Sequence, residues 1–330
     1  MYRLLNLVSV LVVAGVFPST SRADVTLGEA SAFGLFVNTD IVDQNNLLNV
    51  LVSADLGPTP SVSDIAPAPF NLSASLASAS VSAGSLTTLG GGTIVVNAAT
   101  VDTSDTLDVT ASSNVDGLPG SRNADATASV ENLSIDVNPV SVFSLLNTAN
   151  VFSFDASLIT SEAHASGDFG ALVATGNSVI IDANGVGDGF LTFSVLGVNL
   201  DVAVDAMGQV APNTTLNITS ALNALLGDSL GTDLNGQITV ILNEQIPTGD
   251  GITSAGITVN AIHVLFVNTG AEFFNALGIS IGDTNFVTGE IIVAQSHALL
   301  NAVVPEPSSL ALLGLACTAV FARRRCRSAG

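Results

Sequence analysis

The sequence is poor in the side chains from which catalytic and binding sites are most often built. It has no lysine and no tryptophan, and its single tyrosine, Tyr2, lies at the start. Among its seven arginines only Arg122 lies between Asp24 and Val304. Yet this stretch holds all but one of the 28 acidic residues, so its charge is about −26. Such a surface repels nucleic-acid phosphates and anionic lipids, so we expect no nucleic-acid partner.

Cysteine is missing from the same stretch. The two cysteines of the chain, Cys317 and Cys326, both lie near its C-terminus. Disulfides, a cysteine-ligated zinc site and a thiol nucleophile are therefore excluded for residues 24–303. Phenylalanine is the sole aromatic there, which disfavours a sugar platform of Trp or Tyr rings. Polar contacts to extracellular polysaccharide or matrix components remain open.

Small and β-branched apolar residues are abundant, and they recur in alternation with polar ones. Hydrophobic residues make up 48% of the chain and charged residues 11%. Alternating stretches such as 71–84, 124–137 and 256–267 are separated by Gly, Asn, Asp and Pro, a pattern typical of strands and turns. We therefore predict one all-β domain over residues 24–303, a large antiparallel β-sandwich, with a β-helix as the alternative.

Three short helices are expected to interrupt the strands. Asn138-Pro139 and Thr219-Ser220 resemble N-terminal caps, and Gly278 resembles a C-terminal one. The predicted helices cover 140–147, 221–226 and 272–277.

A pentapeptide occurs twice, at Leu35 to Thr39 and again at Leu265 to Thr269. No fixed period of 20 to 50 residues accompanies it, which disfavours a propeller or solenoid. The repetition suggests that the first and last parts of residues 24–303, called the body, form equivalent strands of one sheet.

The first 23 residues have the order of a secretory signal peptide. Arg3 precedes an apolar run from Leu4 to Phe17, and Ser21-Arg22-Ala23 places small residues where a signal peptidase reads them. The run is shorter than the roughly 20 residues that a membrane span needs. We expect cleavage after Ala23 and export of the body.

The last 27 residues combine three features in sequence. Pro305-Glu306-Pro307 is followed by an apolar run over 308–322 and then by Arg323-Arg324-Arg325. Arginines resist crossing a bilayer, so a translocated chain would stop there. The order resembles the PEP-CTERM sorting signal of bacterial surface proteins. The resemblance implies that an exosortase-type protease handles residues 304–330, whose short apolar helix anchors the chain transiently in the membrane.

The body itself resembles the surface domains called choice-of-anchor proteins, most nearly the P type. The resemblance implies a surface role and carries no catalytic residues. The segments that carry it are Ala30 to Leu35, Asn243 to Gln245, Thr258 to Val264, Gly289 to Ala294, and His297.

One motif suggests a hydrolase. Gly227-Asp228-Ser229-Leu230-Gly231 matches the G-x-S-x-G serine elbow and resembles the opening block of GDSL hydrolases. The elbow requires a strand before the serine, whereas a helix is predicted before Ser229. None of the three histidines follows an aspartate by three residues, as the GDSL pattern requires. A helix-exit turn is the favoured interpretation.

A glycine-rich loop after residue 181 is the first of two candidate metal sites. Asp182, Asn184 and Asp188 lie in a glycine-rich loop with the oxygen ligands that calcium prefers, although the bidentate glutamate of an EF-hand is missing. An Asn-Gly hairpin turn is the alternative interpretation.

The three histidines are the second candidate. His164, His263 and His297 could share a zinc ion, but they lack the close pairing of H-E-x-x-H. His263 and His297 fall in alternating stretches, where a histidine usually packs or makes a hydrogen bond.

Taken together, these features predict an exported structural or interaction protein of the cell surface or extracellular matrix, without enzymatic activity and without an obligatory cofactor. A calcium-dependent binding module is the first alternative. A secreted serine hydrolase is the second.

Overall fold

The structure, a computed structural model, describes residues 24–41, 52–89, 92–142, 152–183, 189–195, 198–221, 223–224, 237–269 and 287–303. Strands dominate these residues, which confirms the predicted all-β class. The predicted signal peptide and the predicted C-terminal helix lie outside them. No helix within the described ranges has the length and apolar character needed to cross a membrane.

Fifteen strands lie within the described residues, and they are numbered in chain order. They are β1 (Asp24–Ile41), β2 (Val52–Ala66), β3 (Phe70–Leu76), β4 (Ala79–Leu89), β5 (Gly92–Thr103), β6 (Leu107–Ser113), β7 (Arg122–Val142), β8 (Phe152–Asp168), β9 (Ala171–Asp182), β10 (Phe190–Val195), β11 (Val198–Ala203), β12 (Thr214–Asn217), β13 (Gln237–Gly249), β14 (Ser254–Thr269) and β15 (Val287–Val303).

The strands form two sheets that face each other. The six-stranded sheet has the order β12-β13-β14-β15-β1-β2. The nine-stranded sheet has the order β11-β10-β8-β7-β5-β4, with β6 and then β3 added beside β7 and with β9 beside β8. β14 and β15 cover β7, β8 and β9. All strand pairs among the described residues are antiparallel, so the sandwich prediction is confirmed and the β-helix alternative is not supported.

The interior follows directly from the alternation in the sequence. Along β8 the buried and more exposed side chains alternate, so Phe152 and Phe154 point into the sandwich. The ring of Phe193 stacks on both, with centroids 5.9 Å from Phe152 and 4.4 Å from Phe154. A second, smaller apolar cluster that includes Val25 and Leu300 fills one end of the sandwich.

The last strand is an inner strand of the six-stranded sheet. β15 lies between β14 and β1, so the two copies of the pentapeptide flank the same strand in one sheet, which confirms that interpretation. The register brings Asp24 opposite Val303. The sheet is therefore incomplete until residues from both ends of the body are present.

The predicted helices are largely corrected. Residues 138–142 continue β7 as a strand, so a helix beginning at residue 140 is wrong. Pro139 falls where the register between β7 and β5 is interrupted, and a strand tolerates proline there. The second helix exists over 218–221 and 223–224. Its cap is Asn217, whose Oδ1 accepts the N–H of Ser220 at 2.9 Å. The segment 272–277 lies outside the described residues.

Candidate functional site

A hydrogen-bonded group of charged side chains lies on the outer face of the six-stranded sheet. His263 in β14 stands between Glu244 in β13 and Glu290 in β15. Its Nδ1 is 2.8 Å from Oε2 of Glu244, and its Nε2 is 3.0 Å from Oε2 of Glu290. The side chains of His263 and Glu244 are 12% and 16% exposed, and that of Glu290 is 37% exposed. One imidazole therefore bridges three neighbouring strands.

Two amide side chains extend this group. Asn260 donates its Nδ2–H to Oε2 of Glu244 at 2.6 Å, the same oxygen that His263 contacts. Gln295 donates its Nε2–H to Oδ1 of Asn260 at 2.7 Å. The carboxylate of Glu244 is thus held by two donors, and the chain of bonds runs across β13, β14 and β15. We call these five side chains the His263 cluster.

An irregular row of backbone positions brings the cluster together. Asn260 and His263 are three residues apart and would face opposite sides of a regular strand. Between Asn260 and His263, the register of the three strands skips one residue in each strand, namely Asn243, Ala261 and Ala294. Asn243 and Ala294 adopt left-handed φ angles of 48° and 51°. The irregular row shifts the alternation by one residue, so both side chains emerge on the same face.

The geometry determines the protonation of the imidazole. A neutral imidazole has one N–H, whereas both nitrogens of His263 contact carboxylates, so the arrangement requires the charged form. Burial by itself would lower the pKa of His263, but the hydrogen bonds and charges of Glu244 and Glu290 outweigh it and raise that pKa. The hydrogen bond from His263 lowers the pKa of Glu244 despite the opposing effect of burial, with help from Asn260.

The cluster acts chemically as a fixed ion group. An imidazolium with both N–H groups bound to carboxylates has no free lone pair with which to accept a proton from a nucleophile. It places one positive charge in a body whose single arginine is Arg122. The role that this geometry favours is attachment of β13, β14 and β15 to one another. Ser229, the nucleophile of the hydrolase alternative, lies outside the described residues.

The other two histidines have separate partners. His164 in β8 contacts Asp125 of β7 in the nine-stranded sheet through Nδ1. His297 in β15 is hydrogen bonded through Nδ1 to the hydroxyl of Thr258 at 2.9 Å, and its Nε2 is 3.7 Å from Glu29. The structure therefore does not bring the three histidines to a common metal ion. Each makes a local contact instead.

The structure reaches only one residue of the predicted calcium loop. Asp182 ends β9 and is buried, whereas Asn184 and Asp188 lie outside the described residues. No group of three or more His, Cys, Asp or Glu side chains in the described ranges is arranged to hold a metal ion. The calcium loop thus stays a prediction.

Sequence reasoning identified His263 but not its partners. Glu244, His263 and Glu290 are far apart in the chain, and no motif with this spacing signals an ion group. Glu244 appears in the sequence analysis only as part of a family resemblance. Strand order and register alone bring these three side chains together.

Comparison with known proteins identifies a sorting motif near the C-terminus. Residues 303–326 match the family model described as the PEP-CTERM protein-sorting motif. The match includes Pro305, Glu306, Pro307, Arg323, Arg324 and Arg325, all of which lie outside the described residues. No curated protein and no solved structure matches the chain, so the choice-of-anchor P resemblance of the body has no support. What the comparison establishes is that this chain ends in a PEP-CTERM protein-sorting motif.

Proposed function

We propose that this chain is an exported protein of the cell surface or extracellular matrix with a structural or interaction role. The observation that carries the proposal is the sorting-motif match at residues 303–326. An exosortase-type protease recognises Pro305-Glu306-Pro307, and Arg323-Arg324-Arg325 stops the chain in the membrane until it is processed. The matrix partners are polysaccharide or protein surfaces, which the body contacts through polar groups.

The fold places the two ends of the body next to each other. Strand β15 ends at Val303, where the sorting match begins, and its partner Asp24 is the residue expected to follow the signal-peptide cleavage. The residues to which the predicted signal peptide and the C-terminal segment 304–330, called the tail, are attached therefore lie side by side.

Mass spectrometry of protein recovered from the native cell surface tests the proposal. We expect a new N-terminus at Asp24 and a C-terminus within or near the sorting motif. Arg323→Gln, Arg324→Gln and Arg325→Gln combined should leave the tail unprocessed. Arg122→Gln, which removes one positive charge outside the motif, is the control and should leave processing of the tail unchanged. Full-length chain dissolved in the cytosol, with both ends uncut, would end the proposal.

We further propose that the role is not catalytic. The support is that the three histidines are engaged by carboxylates or a hydroxyl. Turnover on ester and glycan panels should be at background for the parent chain. Turnover that Ser229→Ala abolishes would establish the hydrolase alternative instead.

A calcium-dependent binding module is the second candidate. A cleft of about 320 Å³ lies beside Ala183, the residue after Asp182, and Asp155 and Ser134 line it. Burial is the main cause that raises the pKa of Asp136, and the charge of Asp155, which lines the cleft, adds to it. Calorimetric titration of the full chain with calcium tests this candidate. Absence of binding heat and an unchanged Tm would remove it.

A further inference from the structure

One end of the sandwich collects the point from which the tail leaves and three connecting loops. Asp24 and Val303 are partners there. The N–H of Ala302 donates to the carbonyl of Thr253 at 2.7 Å, and the N–H of Gly170 donates to the carbonyl of Ile252 at 2.9 Å. We call this region, made of Asp24, Val303 and the loops 114–121, 169–170 and 250–253, the tail end.

Large apolar side chains project from the tail end. Leu118 is 60% exposed, Ile252 is 51% exposed, and Val303 is 58% exposed. Leu118 and Ile252 occupy loops between strands, whereas such positions in a soluble surface are usually polar. Three exposed apolar side chains at one end of the sandwich make this end suited to an apolar contact.

The first of these loops is held in shape. Arg122 donates from Nη2 to the carbonyl of Leu118 at 2.6 Å, and the same nitrogen pairs with Asp116 at 2.5 Å. The one arginine of the body is therefore used to fix the loop that presents Leu118.

The second loop is fixed by a carboxylate. Asp250 accepts the backbone N–H groups of Ser254, Ile252 and Thr253 through Oδ1, at 3.0, 2.8 and 2.7 Å. These bonds hold the pKa of Asp250 below its usual range, so the carboxylate stays ionised and the turn stays closed. Ile252 is thus presented outward by a preformed turn, which reduces the entropy lost on binding.

Chain length determines what this end faces. The apolar run of the tail begins at Ser308, and an extended chain spans at most about 3.6 Å per residue. Once the run is in a bilayer, Val303 lies within roughly 18 Å of it. The tail end is the part of the sandwich nearest the membrane.

We propose that the tail end is a membrane-contact surface, with Leu118 and Ile252 entering the headgroup region while the tail anchors the chain. The proposal rests on the proposed export and tail anchoring. The partner is a zwitterionic bilayer, because Asp24, Asp116 and Asp250 of the tail end outnumber the adjacent Arg122 and oppose anionic lipid. The apolar face of an interfacial helix is buried about 5–10 Å into the headgroup boundary, and we expect the two loop side chains to reach a comparable depth.

The missing tryptophan makes a clean test possible. Leu118→Trp and Ile252→Trp each introduce a single tryptophan into the full chain. Val267→Trp is the matched control, because Val267 is 49% exposed and lies at the opposite end of β14. Each variant is reconstituted into phosphatidylcholine vesicles with and without brominated acyl chains. Flotation of the protein with the vesicles shows that the tail anchors the chain. Quenching by bromine shows that the loop tryptophan has entered the bilayer.

We expect the chain to float with the vesicles, with blue-shifted and quenched emission for the first two variants and unquenched emission for Val267→Trp. Flotation without quenching at positions 118 and 252 would overturn the membrane contact and leave tail anchoring intact. Failure to float would overturn both. A blue shift that instead develops in detergent as protein concentration rises would assign this surface to a second copy of the chain and also overturn the proposal.

Discussion

Removal of His263 should destabilise the protein in a way that depends on pH. His263→Leu replaces the imidazolium with an apolar side chain and leaves Glu244 and Glu290 facing each other without their cation. Because the pKa of His263 is raised in the folded state, its contribution is fully present below the unfolded pKa of about 6.5. That contribution is lost as the pH rises through the higher folded pKa.

The magnitude follows from the two contacts. A hydrogen bond to a charged group contributes about 1.5–3 kcal/mol to the free energy of unfolding, which applies to the largely buried contact with Glu244. Glu290 is 37% exposed, so its contact adds about 0.2–1 kcal/mol. We expect His263→Leu to lower the free energy of unfolding by about 2–4 kcal/mol at pH 6.

The difference between variant and parent should shrink at higher pH. It narrows by about 1.4 kcal/mol for each unit by which the folded pKa of His263 exceeds the unfolded one. The pH dependence of the contribution from Glu244 to stability runs in the opposite direction, at acid pH. Its pKa is lowered in the folded state, so its contribution is present above about pH 4.5 and is lost as the pH falls through the folded pKa.

The composition makes the assay simple to interpret. With no lysine in the chain, and with no cysteine or tyrosine between Asp24 and Val303, histidine is the only residue type of that stretch whose ordinary pKa lies between 6 and 9. Unfolding of the full chain by urea in detergent is followed by far-ultraviolet circular dichroism, because tryptophan is absent. His297→Leu is the matched control. It removes one hydrogen bond to Thr258 and should cost about 0.5–1.5 kcal/mol, and it leaves the contacts of His263 and their pH dependence in place.

The reasoning would be refuted if parent and His263→Leu lost stability in parallel between pH 6 and 9. That result would mean that the imidazole is neutral or that its contacts are too solvated to matter. If His263→Leu left the free energy of unfolding unchanged at pH 6, the expected loss of about 2–4 kcal/mol would also be refuted.

Three further predictions concern packing and accessibility. Phe193→Ala should lower the free energy of unfolding by about 3–5 kcal/mol, measured by denaturant titration, because it leaves a cavity beside two stacked rings. Gly289→Ala should destabilise by more than about 1–3 kcal/mol, since φ is +130° and the added Cβ would collide with the carbonyl of Asn38, whereas Gly57→Ala meets nothing and should change Tm little. Trypsin should cut residues 24–303 only at Arg122, and only after unfolding, because the guanidinium of Arg122 is bound by its own loop. Mass spectrometry of the fragments tests this, and a cut elsewhere in residues 24–303 would contradict the prediction.

Local patterns predicted the class of fold well and the helices poorly. The Ser/Ala alternation over 71–84 is strand, although it is divided between β3 and β4. Asn138-Pro139, in contrast, has the local signature of a helix start, yet these residues extend β7. Pairing with β5 on a long strand outweighs a cap of about 1 kcal/mol.

The His263 cluster shows where sequence reasoning stops. An alternating pattern places His263 on one face of a strand, but Asn260 should then lie on the other. Only the irregular row at Asn243, Ala261 and Ala294 brings both to one face, and backbone strain of that kind has no signature in a single sequence.

The amino-acid order by itself determined the sorting motif and the all-β class of this protein. Apolar runs with flanking arginines act in the unfolded, translocating chain, so they can be read without a fold, and a period of two is a property of a single strand. Which strands become neighbours was decided by tertiary structure alone. The pairing of Asp24 with Val303 and the bridge from Glu244 through His263 to Glu290 both join residues distant in the chain. Such contacts form only when burial of two whole sheet faces outweighs the entropy of closing long loops, and no short stretch of sequence records that balance.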